Sequence, residues 1–298
     1  MKAAAWWWER VWFRPAHPLC LTAARVILAA QALWILLSRP DLPDLARWPA
    51  GFWVLSGRAL PARFGIVGLG VGVEHALFLV LHVALLAALL GLRPRLACLV
   101  SGLLLYHFAP FEELVAGMPH TAFGGLTVPT LGLLVLSFAE APPWRGAPSA
   151  DYRWPFALVQ LLVAFSYFFP ALAKLRFSGP AWFTADNIRY YALGNFAVTA
   201  APLAPWVAER PLVCRLIALG TLALEGLSPL VVFSRAFAMA FVPAALVFHI
   251  GIVLVIGYFF PSVPLLLLLT YRWGTPRRSA VGVFTPPSPS RASRRPTP

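Results

Sequence analysis

The residue whose type and position could do chemistry most directly is Lys174, in the stretch FPALAKLRFSGPAW at residues 169–182. The chain has 22 arginines but only two lysines, and the other lysine is Lys2. Apolar surroundings disfavour an ammonium, so a buried lysine can lose its proton and act as a base, which an arginine cannot do. Two interpretations stay open: Lys174 is a base that faces a cavity between helices, or it is a cation that extends along apolar surface to water.

Two more polar residues share a predicted helix face with this lysine. Gln160, Tyr167 and Lys174 are seven residues apart, and seven residues of an α-helix return to within about 20° of the starting direction. Pro170 removes a backbone donor and predicts a kink just before the lysine. The three polar side chains therefore form a stripe that ends in a solitary amine.

Other ionisable residues lie within apolar sequence and need partners. Arg25 and Glu225 are predicted to form a structural ion pair, because an ion in apolar surroundings seeks a counter-ion. His75 and His82 share a helix face, but a catalytic zinc site usually adds a third ligand at a known spacing, so no metal site is predicted. His249 is interpreted as a buried, hydrogen-bonded histidine.

The chain that must position these residues is strongly apolar. Of its 298 residues, 60% are hydrophobic and 12% are charged, and the mean hydropathy is +0.75. Soluble domains have roughly 25% charged residues, so the composition indicates an integral membrane protein. The net charge of +13 comes from arginines between apolar runs and in the tail, which is typical of membrane loops and not of nucleic-acid binding. Cys20, Cys98 and Cys214 are isolated and form no CxxC motif, so they are interpreted as small apolar residues.

Apolar runs predict the helices. They cover residues 19–38, 65–91, 95–110, 120–139, 154–174, 212–233 and 237–259, and a short eighth run follows Pro264. Since about 20 residues span a bilayer, we predict an all-α polytopic membrane protein, a bundle of seven or eight transmembrane helices, within residues 1–271. Residues 272–298 are basic and rich in Pro and Ser, and we predict that this tail is disordered.

The distribution of loop arginines and lysines favours an N-terminus inside the cell, once the basic tail is counted on that side. In this topology Lys174 ends the fifth span on the outer side, and His120 begins the fourth span on the same side. Because histidine changes charge near physiological pH, His120 can orient or protonate a bound group, or it can be an ordinary interfacial residue. We predict that His120 and Lys174 share one pocket.

Several short segments, in order, resemble the HTTM family, which is the transmembrane domain shared with vitamin K-dependent γ-glutamyl carboxylase. They are LTAARVILAAQALW, PHTAFGGL, YFFPALAKLRFSGPAWFTADNIRYYAL, LEGLSPLVVF and FHIGIVLVIGYFF. The most specific segment is the one around Lys174, in which aromatic residues precede PALAKL and a tryptophan follows it. The order and spacing of these segments extend over most of residues 19–271.

The resemblance implies an activity. In the carboxylase the matching lysine deprotonates vitamin K hydroquinone, which then reacts with oxygen. Lys174 would be that base, and His120 would stabilise developing charge beside it. Substrate contacts are expected from a further group of residues: Tyr167, Gln160, Trp182 and His75. Where the family's carboxylases often have two lysines, this chain has Ala173 before Lys174, and the large extramembrane portion that handles the protein substrate has no counterpart, so we expect quinol chemistry rather than glutamate carboxylation.

Three functions are therefore weighed. The first is a membrane enzyme of carboxylase or epoxidase type whose cofactor is vitamin K hydroquinone or another quinol. The second is a non-catalytic membrane subunit or assembly factor, and the third is a proton-coupled transporter, which the absence of a visible internal repeat disfavours. The expected partners are membrane lipids, a lipid-soluble substrate and a separate soluble domain or protein. The expected location is a bacterial inner membrane, crossed several times.

Overall fold

The computed structural model describes residues 8–9, 11–48, 69–109, 123–140, 146–260 and 262–270. These residues form helices and turns, and they hold no β-strand beyond an isolated antiparallel bridge between Ala16 and Ser149. Four helical segments in this part of the chain are long and apolar enough to cross a membrane: Leu19–Leu37, Val71–Leu90, Ala150–Phe183 and Arg235–Ile256. The predicted all-α fold is therefore confirmed for the described residues.

Among the described residues up to Ala173, five main helices form the first half of the bundle. They are α1 (Leu19–Leu37), α2 (Val71–Leu90), α3 (Pro94–Phe108), α4 (Phe123–Phe138) and α5 (Arg153–Ala173). Helix α1 packs against α2 and α4, α3 lies between α2 and α4, and α4 also contacts α5. Before α2, a 3₁₀ helix covers Leu42–Arg47 and packs against it.

The second half consists of long and short helices in alternation. They are α6 (Ala185–Thr199), α7 (Ala204–Ala208), α8 (Pro211–Leu227), α9 (Leu230–Phe233), α10 (Arg235–Ile256) and α11 (Leu266–Thr270). Helix α8 packs against α5 and α6, whereas α10 packs against α6 and α11. Helix α5 is thus the element that joins the two halves.

Local sequence explains where several of these helices begin and end. Helix α2 stops at Gly91, whose φ of 77° is the left-handed conformation that glycine adopts without steric cost. Pro94 then opens α3 at a position where its missing N–H is no loss. At the start of α10, the side chain of Ser234 accepts a hydrogen bond from the backbone N–H of Phe237, which caps the helix.

Two clusters of buried apolar residues form the core. The larger one draws on α1 to α5, α10 and α11, and the smaller one on α6, α7, α8 and the end of α10. Tyr167 belongs to the larger cluster and Trp182 to the smaller one. Lys174 lies between them along the same helical segment, so this lysine occupies the junction of the two clusters.

Contacts between distant residues define the two ends of the bundle. The first end contains the bridge between Ala16 and Ser149. The second end contains His75 Nε2, which is 3.6 Å from Asp44 Oδ1. Helix α1 leads from the first end to the second, and α2 leads back. Helix α5 starts next to Ser149 and therefore carries Lys174 towards the second end.

All seven predicted apolar runs contain helix, but four of the helical segments meet the length and hydropathy of a membrane span. Helix α5 ends at Ala173 with Lys174 as its C-cap, as expected from the end of the apolar run. The sequence did not predict that the chain continues through a π turn, Lys174–Ser178, and a 3₁₀ turn, Gly179–Phe183, because a charge ends an apolar run without ending the backbone hydrogen bonds. Helix α6 was not among the predicted runs, since it carries Asp186 and Arg189. The predicted tail, 272–298, lies outside the described residues.

Candidate functional site

The ammonium of Lys174 forms an ion pair with the carboxylate of Glu225, across the contact between α5 and α8. Its Nζ donates to Oε1 at 2.7 Å and to Oε2 at 2.6 Å. The two side chains are 19% and 8% exposed, respectively. Charge-assisted hydrogen bonds of this length are strong, and both oxygens of the carboxylate are engaged. The lysine therefore has a partner that holds its proton in place and that can also accept it.

This geometry corrects the predicted pair of Arg25 and Glu225. Arg25 lies in the first two turns of α1, near the first end of the bundle, and its guanidinium is beside Gly91. Glu225 lies near the C-terminal end of α8 and is already engaged by Lys174. The prediction that Glu225 needs a cationic partner is confirmed, but the partner is Lys174 and not Arg25. Hydropathy could not identify this partner, because it does not determine which helices are neighbours.

Trp182 stands next to the lysine. The Lys174 Nζ lies 5.0 Å from the centre of the Trp182 ring, within the range of a cation–π interaction. The indole Nε1 donates to the carbonyl oxygen of Ala218 in α8 at 3.2 Å, which fixes the ring. The expected site residues Lys174 and Trp182 are therefore brought together, with Glu225 as a third member that was expected elsewhere.

The backbone around the lysine departs from α-helical geometry. Pro170 lies inside α5, and the turn that starts at Lys174 has the wider π geometry. Such turns are rare and occur often at functional sites. Gly179 then has a φ of 52° and a ψ of −133°, which favours glycine. The wide turn lets the chain continue to Trp182, whose ring then lies beside Lys174.

A hydroxyl fixes α8 against α5 next to the acidic residue. The Ser228 Oγ is 2.8 Å from the carbonyl oxygen of Ala164 and 2.7 Å from that of Glu225. Ser228 is fully buried. The single hydroxyl proton lies within reach of a carbonyl oxygen of each helix, so Ser228 links the backbone that carries Glu225 to α5.

Tyr167 is the next residue of the stripe towards the first end. Its hydroxyl lies 2.7 Å from Nε2 of His249 in α10, and both residues are buried. The ring of Tyr167 also packs edge-on against Phe241. His249 is therefore the buried, hydrogen-bonded histidine that the sequence predicts.

Gln160, seven residues before Tyr167 in the stripe, belongs to a separate polar group. Its side-chain nitrogen donates to the carbonyl oxygen of Leu268 in α11 at 2.8 Å, and its oxygen accepts from Arg153 Nη1 at 3.3 Å. Arg153 Nε donates to the carbonyl oxygen of Val11 at 2.8 Å. Seven helical residues rise by about 10 Å, so Gln160 lies about 20 Å from the level of Lys174 and does not contribute to the same pocket.

Of the two histidines predicted for the site, only His75 lies within the described residues, and its contacts are with other residues than Lys174. His75 is exposed on α2, where its Nδ1 is 2.8 Å from the carbonyl oxygen of Val71 and its Nε2 faces Asp44. These contacts place it at the second end with α2 and the 3₁₀ helix before it. His120 lies outside the described residues, so the pocket shared by His120 and Lys174 stays a prediction.

A second polar pair was not predicted. Glu74 in α2 is fully buried, and its Oε2 is 2.8 Å from Nε2 of His107 in α3. Its Oε1 accepts from the backbone N–H of Leu69 at 2.8 Å. Glu74 lies in the first turn of α2 and His107 in the last turn of α3, and local sequence patterns do not show that two such residues are bonded.

The arrangement around Lys174 is suited to moving a proton within apolar surroundings. A cation, a carboxylate and an aromatic ring meet where two helices touch, and the ring is fixed by its hydrogen bond to Ala218. Comparisons with protein-family models, with curated proteins and with solved structures found no match. The site is therefore interpreted from its own geometry.

Proposed function

We propose that the chain is a multi-pass protein of a bacterial inner membrane in which Lys174 and Glu225 act as a proton-accepting pair for a lipid-soluble quinol. The supporting observation is the pair itself, with Nζ within 2.7 Å of both carboxylate oxygens. The resemblance of the surrounding segment to the carboxylase transmembrane domain suggests the quinol. The enzyme class is then carboxylase- or epoxidase-like, and a soluble protein supplied separately would deliver any larger substrate.

Exposed apolar residues next to the pair support access from lipid rather than from water. Leu172, Leu175 and Phe177 lie on the outside of the segment around Lys174, and Phe177 is 80% exposed. The Lys174 side chain keeps 19% of its surface exposed among them. An apolar ring that enters from the bilayer can therefore approach the amine along these side chains.

The pair accounts for the proton in one step. Lys174 holds three N–H groups, two of which point to Glu225. When a quinol hydroxyl replaces one of these contacts, its proton passes to the amine as Lys174 passes a proton to Glu225. The carboxylate ends protonated, and the ammonium stays beside the new oxyanion as its counter-charge. The number of charges does not change in this step, because the negative charge moves from the carboxylate to the quinol oxygen, where the ammonium of Lys174 stabilises it.

Lysine can pass on a proton and arginine cannot, so substitutions at Lys174 test the proposed proton transfer. Membranes that hold equal amounts of protein are supplied with a reduced naphthoquinone, and oxygen consumption is measured. Lys174→Arg keeps the cation but cannot release a proton, and Glu225→Gln cannot accept one. We expect both to lose at least about 100-fold in rate, which is the usual contribution of a general base.

The matched control is Arg176→Gln. Arg176 is an exposed cation two residues from Lys174. Its guanidinium packs over the ring of Phe177 and makes no contact with the ion pair. Its variant should keep a rate within about twofold of the parent, as surface substitutions usually do. Full activity in Lys174→Arg would reject the proton-accepting role, and an inactive parent would reject the quinol.

A non-catalytic membrane subunit is the second candidate, and the same ion pair favours it. A buried pair that joins α5 to α8 can serve packing alone. In that case Lys174→Arg and Glu225→Gln would change the thermal midpoint of the purified protein, while no quinol oxidation would be found in parent or variants.

A further inference from the structure

A recess near the first end of the bundle is lined by two arginines. It lies between α1, the start of α3 and the end of α4, and it is open to the outside. Its polar wall consists of Thr22, Arg25, Arg95, the thiol of Cys98 and Glu140. Two guanidinium groups against one carboxylate leave the recess with a net positive charge.

Arg25 is the unusual member of this wall. Its Nε is buried, yet it has no hydrogen-bond partner among the described residues. No ion pair joins Arg25 to an acidic residue in this part of the chain, since its predicted partner Glu225 is bonded to Lys174. Arg25 as a whole is partly exposed, so the outer part of its guanidinium can contact a ligand, while its buried Nε is a donor that lacks a partner within the described ranges.

The guanidinium lies at the level where the helices end. Arg25 is six residues into α1, or about 9 Å along the axis, and helical side chains point back towards the N-terminus. A Cβ placed on Gly91 would stand 2.9 Å from its Nη2. Gly91 closes α2, so the charge has reached the turn between α2 and α3. If α2 crosses the bilayer, this turn lies at the headgroup layer.

The chemistry of the recess selects the ligand. The planar fork of arginine matches the oxygens of a phosphate, with two parallel N–H donors. The side chain of Arg95 is oriented by a hydrogen bond, which its Nε donates to the carbonyl oxygen of Ser137 at 3.2 Å. Basic recesses between membrane helices on the cytoplasmic side commonly bind lipid headgroups, and the topology favoured by the loop charges puts this end inside.

We infer that the recess between α1, α3 and α4 binds the phosphate of an anionic phospholipid, with Arg25 and Arg95 as its ligands. The apolar wall supplied by Leu21 and Leu136 would lie beside the start of the acyl chains. This inference rests on the proposed membrane location and not on the proton-accepting role of Lys174. The two can therefore fail separately.

The test measures lipid retained by the purified full-length protein. The protein is exchanged into detergent with dioleoylphosphatidylglycerol, dioleoylphosphatidylcholine or inorganic phosphate, and bound lipid is counted by native mass spectrometry beside the thermal midpoint. We expect the parent to retain phosphatidylglycerol and to be stabilised by it, but not by the other two. Arg25→Gln should bind it at least about tenfold more weakly, the loss expected for a hydrogen-bonded charge.

The matched control is Arg14→Gln, which removes an exposed arginine from the same end of the bundle. It should retain the lipid within about twofold of the parent. Arg95→Gln is a second site variant whose exposed position leaves folding intact, and it should also lose affinity. Equal losses in the Arg14 and Arg25 variants would overturn the site in favour of general attraction by a basic face. Equal stabilisation by inorganic phosphate or by phosphatidylcholine would overturn the assignment to an anionic lipid.

Discussion

At the scale of single residues, charge pairing in the described structure follows helix adjacency rather than the order of apolar runs. Glu225 has Lys174 within 2.7 Å, whereas Arg25 lies beside the turn at Gly91. Removing one member of a buried pair leaves the other charge uncompensated, which typically costs about 3–5 kcal/mol. When Glu225 is replaced, the stability effect of a substitution at Lys174 should therefore change. The effect of a substitution at Arg25 should stay the same, because Arg25 does not contact Glu225.

The first prediction is a pair of double-mutant cycles on thermal and denaturant unfolding in detergent. Lys174→Met and Glu225→Met should each be strongly destabilising, and the double variant should recover at least about 1 kcal/mol relative to their sum, as bonded residues do. Arg25→Met combined with Glu225→Met should instead be additive to within about 0.5 kcal/mol. Coupling between Arg25 and Glu225 in place of Lys174 would show that the observed pairing is wrong.

A second prediction concerns the buried bond between α5 and α10. Tyr167→Phe removes one hydroxyl and leaves Nε2 of His249 without its partner. We expect a loss of about 1–3 kcal/mol in unfolding free energy, the cost of a buried unpaired polar group. Tyr190→Phe is the control, because Tyr190 is exposed on α6. Losses of equal size in both variants would mean that the bond with His249 adds no stability.

The sequence predicted some members of the site and missed others for a physical reason. Lys174 was identified by its residue type and Trp182 by its position in a recognisable segment. Glu225 was identified as an ion that needs a partner, but its partner is 51 residues away in sequence. Local periodicity does not specify which two helices touch, and a choice between Arg25 and Lys174 requires that information.

At the scale of helices, close approach depends on a glycine. A Cβ at Gly102 in α3 would stand 2.6 Å from Cγ and 3.1 Å from the backbone nitrogen of Leu134 in α4. Both contacts are tighter than real Cβ atoms normally show, and the second is to backbone that cannot rotate away. The crossing of α3 and α4 therefore requires the absence of a side chain at residue 102.

The third prediction follows from that crossing. Gly102→Ala should destabilise the protein by about 1–3 kcal/mol through overpacking, measured by the thermal midpoint in detergent. Gly220→Ala is the matched control, since Gly220 lies inside α8 with nothing within 4 Å of the added atom. That variant should be neutral or more stable by up to about 1 kcal/mol, because alanine is the better helix former. A tolerated Gly102→Ala would mean that the two helices are further apart.

Apolar runs predicted the helices well where the helix itself is made of apolar residues. Helices α1 and α2 both lie within predicted runs, because the residues that make a helix apolar also mark its length. Helix α6 was missed because Asp186 and Arg189 interrupt its apolar pattern. The π and 3₁₀ turns that follow α5 were missed because hydropathy detects charge and not backbone geometry.

At the scale of the whole molecule, the contacts at the two ends of the bundle predict which loops share a side of the membrane. The bridge between Ala16 and Ser149 places residues on either side of α1 to α4 at the first end. Asp44 and His75 mark the second end. Because α1 and α2 are both long and apolar enough to span a bilayer, the turn between α2 and α3 should lie on the same side as the residues that precede α1.

The fourth prediction tests this arrangement by labelling introduced cysteines. Arg14→Cys, Leu92→Cys and Asp41→Cys each put a thiol at an exposed position, while the native cysteines are buried and should give little background. In intact cells a membrane-impermeant maleimide should label only the Asp41 variant, because the basic first end faces the cytoplasm. In opened cells all three should react. Labelling of the Arg14 and Leu92 variants alone would invert the topology but preserve the bundle, whereas labelling of Arg14 without Leu92 would contradict α1 and α2 as a pair of membrane spans.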